Sequence, residues 1–183
     1  MGLRYDLKKS KHLENVLFIA VIRIFFEFFD MQIRYGKFSF SFAFSSWTVF
    51  FTLVLITVAC GAVLENETAS AVSVGGIAFM YYYFVILRLL NSLAEKDTTY
   101  IYDAIMALII AVAASVLLAF MFGKIRIKTA KISAVISIIC ATVYSVRNII
   151  IFSSQSRFCF SSVKEILVPL ILFLFVISSE ERK

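Results

Sequence analysis

His12–Tyr35 reads HLENVLFIAVIRIFFEFFDMQIRY, a run that is mostly apolar yet carries Arg23, Glu27, Asp30 and Arg34. At about 100° per residue, those four charges fall within roughly 60° of one another on a helix. They form one narrow stripe, while Phe18, Ile22, Phe25, Phe28 and Phe29 spread over the remaining surface. Arg23 and Glu27 stand four residues apart, as do Asp30 and Arg34, so each pair can close along the helix and the stripe sums to zero charge. Everything after this run is more apolar. The stripe therefore decides between two architectures: six membrane spans, or five spans preceded by a helix lying at the interface.

Composition sets the class. Of 183 residues, 61% are hydrophobic and 16% charged, against about half and about a quarter in an ordinary soluble domain. A single proline and the lack of any low-complexity linker point to one integral membrane domain over residues 1–183. The fold class expected is an all-α transmembrane bundle. The net charge of +6 gathers at segment ends, which reads as topology and lipid contact rather than nucleic-acid binding. Cys60, Cys140 and Cys159 show no CxxC spacing, and their odd number argues against a disulfide framework. Arg23 and Glu27 interrupt the first run and no small-residue cleavage site follows, so no cleavable signal peptide is expected. Gly2 follows Met1, but Asp6 breaks the myristoylation pattern. Phe38, Phe40, Phe42 and Phe44 alternate with small residues; a lone strand in a bilayer leaves its backbone unpaired, so an interfacial aromatic segment is the better reading.

Five further segments approach the length needed to cross about 30 Å of hydrocarbon: Trp47–Leu64, Ala69–Leu93, Tyr100–Phe122, Lys131–Phe152 and Val163–Ser178. Pro169 falls near the start of the last, where a helix tolerates it. Short connections imply antiparallel neighbours in up-down order. With the N-terminus inside, ten lysines and arginines fall inside and five outside, which obeys the positive-inside rule. Five spans would put the basic loop at 124–131 outside, but would expose the sequon Asn66-Glu67-Thr68 to the lumen or exterior. Six spans is the expectation.

Ala107, Ala111, Ser115 and Ala119 recur every fourth residue, a small-residue ridge that lets another helix approach closely. The absences matter as much. His12 is the only histidine, so bis-histidine haem ligation, zinc sites of the HExxH type and histidine-based triads are excluded. No GxxxxGK[ST] or GxGxxG motif occurs. No metal and no cofactor is expected.

Two local resemblances are set aside on the residues themselves. Phe29-Asp30 with Arg34, then Trp47, then Leu87-Arg88-Leu89-Leu90 resembles the second to fourth helices of voltage-sensor domains, but the arginine repeat of such sensors is missing. Tyr100-Ile101-Tyr102-Asp103 resembles the last helix of the fungal RTA1-like lipid-translocating family, whose other motifs are missing.

Ionisable groups in a bilayer are costly and usually face an interior or aqueous path. Up-down order carries Glu27, Asp30, Arg34, Arg88, Asp103, Arg147 and Glu165 to one side of the membrane, so an ionic layer is expected there, with Arg23 deeper on the same stripe. The first functional expectation is a transporter-like protein for a small solute, ion or lipid, its pathway lined by these residues. The second is a non-catalytic scaffold or subunit of a membrane complex, docked to a partner membrane protein or a second copy, in which the same groups are structural ion pairs.

Overall fold

A computed structural model describes residues 5–7, 11–35, 53–58, 60, 66–154 and 160–181. Among them are five long helices: α1 (Lys11–Tyr35), α2 (Glu67–Glu95), α3 (Thr99–Met121), α4 (Ile127–Ser154) and α5 (Phe160–Ile177). A further helical stretch runs over 53–58. Strand β1 (Tyr5–Leu7) pairs antiparallel with β2 (Ser179–Glu181), aligning Leu7 with Ser179 and Tyr5 with Glu181. This small ribbon clasps the segment before α1 to the segment after α5.

Helix boundaries follow from local chemistry. Asn66 caps α2 in an extended conformation, its side chain accepting the Ala69 N–H at 2.9 Å, and Glu67 lies favourably in the positive first turn. Lys96 ends α2 in the left-handed region at φ 54°. Asp97 Oδ1 then accepts both the Thr99 N–H at 2.8 Å and the Thr99 hydroxyl at 2.5 Å, starting α3. Those hydrogen bonds hold the Asp97 carboxyl below the usual carboxylate range. At the other end of α3, Lys124 N–H reaches the Ala119 carbonyl and Gly123 N–H reaches that of Phe120. That is a Schellman turn, and it needs the positive φ of 69° that Gly123 adopts.

Two helices hold the bundle's centre. Helix α3 packs against α2, α4 and α5, while α5 packs against α1, α3 and α4. Their buried faces are apolar: Ile110, Ala111, Ala114 and Leu117 from α3 meet a core shared with Val168, Ile171, Leu172 and Phe175 from α5. Val54 and Leu55 of the 53–58 stretch join the same core. Val54 lies so near α2 that a Cβ added at Gly76 would meet its methyl groups at 3.3 and 3.5 Å. Glycine here admits the neighbouring segment.

The expected span count is corrected by these helices. Among the described residues three are long and apolar enough to cross a membrane: α2, α3 and the Ile127–Ile151 part of α4. Six spans are not supported. Helix α1 is 25 residues long, but every eighteen-residue window of it contains at least three charged residues. Helix α5 has only 18 residues and carries Lys164 and Glu165 within them. The Trp47–Leu64 segment lies largely outside the described residues. Each of the later helices also starts before its expected apolar boundary, because capping groups and amphipathic first turns extend it. Pro169, expected near the start of the last segment, thus lies in the interior of α5, where it removes the amide that would bond the Glu165 carbonyl.

The two left-handed positions make opposite predictions. Gly123→Ala should lower stability by about 1 kcal/mol, whereas Lys96→Gly should raise it by up to about 1 kcal/mol. Thermal unfolding in mild detergent measures both; equal effects of the same sign would contradict the backbone geometry.

Candidate functional site

Four ionisable groups converge in the half of the bundle formed by the end of α2, the start of α3, the end of α4 and the start of α5. Sequence and topology place them there. Arg88 lies two turns before the end of α2, and Asp103 lies one turn into α3. The tight turn at Gly123 folds α4 back along α3, so Tyr144 returns to the level of Asp103, the two being almost equidistant from that turn in sequence. Arg23 sits twelve residues into α1 and Glu165 twelve residues before the end of α5. Clasped by the ribbon, the two helices bring these residues to matching height.

Two triads of the same composition result. In the first, the Arg23 guanidinium of α1 lies 3.8 Å from Glu165 Oε1 of α5, and the Tyr81 hydroxyl of α2 donates to Glu165 Oε2 at 3.0 Å. In the second, Arg88 Nε of α2 lies 3.6 Å from Asp103 Oδ2 of α3, and the Tyr144 hydroxyl of α4 donates to Asp103 Oδ1 at 2.5 Å. Each carboxylate thus receives one arginine and one tyrosine, and each triad draws its members from three different helices. Together they touch all five helices.

The triads differ in depth. Arg23 is only 4% exposed, whereas Arg88 is 43% exposed. An exposed ion pair contributes little to stability, but a buried arginine deprived of its carboxylate is costly. Arg88 is further held over the Tyr100 ring, 5.6 Å from its centroid, and the Tyr100 hydroxyl donates to Glu95 at 2.8 Å. Arg147 stacks 4.2 Å above the Tyr102 ring and donates to Asn148 Oδ1 at 3.2 Å. Aromatic faces therefore stabilise two arginine side chains near the same end of the bundle.

The structure brings Arg23 onto Glu165 and Arg88 onto Asp103 in two separate triads, and sets Arg147 on Tyr102. The side chains of Glu27, Asp30 and Arg34 lie outside the described residues, and so does the ladder expected along α1. Arg23 also reaches across to α5, a partner that spacing along its own helix does not reveal. Ala107 and Ala111 are buried on α3, Ser115 and Ala119 partly so; the Ser115 hydroxyl donates to the Ala111 carbonyl at 2.9 Å and lies 3.4 Å from the Tyr82 hydroxyl of α2. Sequence reasoning missed the tyrosines. Tyr144 was findable, because residues equidistant from a helical hairpin turn share a depth. Tyr81 was not, since its partner lies 84 residues away.

Chemically, the arrangement neutralises charge. Each carboxylate already holds a counter-charge and a hydroxyl donor. Among the described residues, no three histidine, cysteine, aspartate or glutamate side chains gather as a metal site. No protein-family model, curated protein or solved structure matches the chain.

The buried triad is testable by a thermodynamic cycle. Glu165→Leu should cost roughly 2–4 kcal/mol because it takes a carboxylate from the buried Arg23, and adding Arg23→Leu should recover much of the loss. Tyr144→Phe should cost about 1 kcal/mol through its lost hydrogen bond. Detergent melting of the three variants decides; a double variant no more stable than Glu165→Leu would show that the pair is not coupled.

Proposed function

We propose that the chain is a multi-pass membrane protein that acts as a non-catalytic scaffold or subunit of a membrane assembly, its buried charges serving as ties between helices. The observation that supports this is the repeated triad. Each carboxylate at its centre is bound by groups from two other helices, so the charges are used in holding helices together. Large apolar side chains left exposed along α2, α3 and α4 suit contact with lipid or with the helices of a partner.

In this reading α1 and α5 also lie in the membrane, as an antiparallel pair whose charges compensate one another. That extends the three span-length helices towards the six-span arrangement, with the 53–58 stretch belonging to the remaining span. The end bearing Lys124, Arg126, Lys128 and Lys131 is cytoplasmic, and the Glu95–Asp97 turn faces the other way.

The transporter-like reading rests on the same residues. It is favoured by one observation, that both carboxylates remain about a quarter exposed and could meet a permeant. The two readings part in the charge-reversed pair Arg88→Asp with Asp103→Arg. A tie is restored by reversal, whereas a cation or anion pathway is not.

The expected outcome is that proteoliposomes of the wild-type chain carry no proton or small-ion flux above empty vesicles, and that the charge-reversed pair melts close to wild type. Flux that the reversal abolishes would overturn the scaffold reading. Orientation is checked with Lys96→Cys and Lys124→Cys, each in a background whose native cysteines are replaced by serine. An impermeant maleimide applied to intact cells should label position 96 alone.

A further inference from the structure

We infer that the α3–α4 turn and the first two turns of α4 form a docking surface for anionic phospholipid headgroups. The inference rests on the membrane reading above and goes beyond it by assigning a lipid class to one surface.

The charges come first. Lys124, Arg126, Lys128 and Lys131 are all exposed, and among the described residues none of their side chains forms an ion pair or hydrogen bond. No acidic residue occurs in the sequence between Asp103 and Glu165, so neither the turn nor α4 supplies a carboxylate of its own to these cations. Its position is fixed by the Schellman turn at Gly123, which sets Lys124 rigidly on the Ala119 carbonyl. The opposite connection is unlike it: Glu95, Lys96 and Asp97 together carry a net negative charge.

The apolar face below decides the partner. Ile132, Ile139, Val143, Val146 and Ile150 are all at least half exposed. They lie within about 60° of Lys128 on the helix, so lysine and apolar stripe share one face. From Lys128 to Ile150 the helix rises about 33 Å, close to the roughly 30 Å thickness of a hydrocarbon core. With the stripe against acyl chains, Lys128 and Lys131 stand at headgroup height and can extend their stems outward. A nucleic acid or an acidic protein would satisfy the charges and leave the stripe bare. One anionic phospholipid satisfies both, its phosphate among the four cations and its chains along the stripe.

The test uses the full chain. Membranes containing it are first washed with alkaline carbonate; release of the chain would overturn the membrane reading together with this surface. Purified chain in mild detergent is then titrated with dioleoylphosphatidylglycerol or dioleoylphosphatidylcholine and the bound lipid counted by native mass spectrometry. The expected preference for the glycerol lipid is about tenfold or more, given the strength of basic residues at membrane surfaces. It should fall to near parity in Lys124→Gln/Arg126→Gln/Lys128→Gln/Lys131→Gln, persist when Lys124, Lys128 and Lys131 are replaced by arginine, and be unchanged by Lys96→Gln. Circular dichroism confirms that the variants remain helical, and excess inorganic phosphate should not displace the lipid. An embedded chain with no preference, a preference retained by the four-glutamine variant, or displacement by free phosphate would each overturn the docking surface alone.

Discussion

A charge carried into an apolar helix bundle must find its compensation on another helix, and this protein meets that constraint twice with one device. Arginine, carboxylate and tyrosine combine so that the carboxylate pairs with a cation and accepts a hydroxyl hydrogen bond at once. Because the three members stand on three helices, the device also sets which helices neighbour one another. The burial of the apolar core is non-directional and would tolerate helices slid along each other. Short-range polar contacts tolerate that sliding less: the Arg23–Glu165 ion pair sets the vertical register of α1 against α5, and the Tyr144–Asp103 hydrogen bond that of α3 against α4.

Pro169 adds a second consequence at the deeper triad. Its missing amide leaves the Glu165 backbone carbonyl without the usual intrahelical donor, so α5 is locally loosened one turn from the residue that carries the charge. The Tyr81 hydroxyl and the Arg23 guanidinium therefore hold a point on α5 where its own backbone holds less. The shallower triad needs no such help. There Arg88 is half exposed, water shares its solvation, and the Tyr100 ring covers one face of the guanidinium.

Much of the fold was legible from local pattern. The apolar run Tyr100–Phe122 became α3 within a residue at each end, and its small-residue ridge lies on a helix packed against three others, as the close approach allowed by small side chains implies. The span count was not legible, since hydropathy alone does not tell whether a helix as charged as α1 crosses a bilayer. Arg23 illustrates the same limit within the site. Its i,i+4 neighbour Glu27 was visible in sequence, whereas Glu165 becomes its neighbour only after both ends of the chain are clasped by β1 and β2. Tyrosines were overlooked for a different reason: an uncharged hydroxyl leaves no mark on a charge pattern.

The pairing of first helix with last has a consequence for the chain during its synthesis. Arg23 is made 142 residues before Glu165, an interval of roughly 7–30 s at common translation rates. Throughout that time α1 has no α5 to lie against, and its buried arginine has no cross-helix counter-ion. Helices α2, α3 and α4 contact sequence neighbours, whereas the contact of α1 with α5 waits until α5 has been made. Its own Glu27 on the same stripe, which matters little to the reading of the finished bundle, is the acid within reach while it waits. The charge stripe of α1 thus serves two partners in sequence, one along the helix at first and one across the bundle at completion.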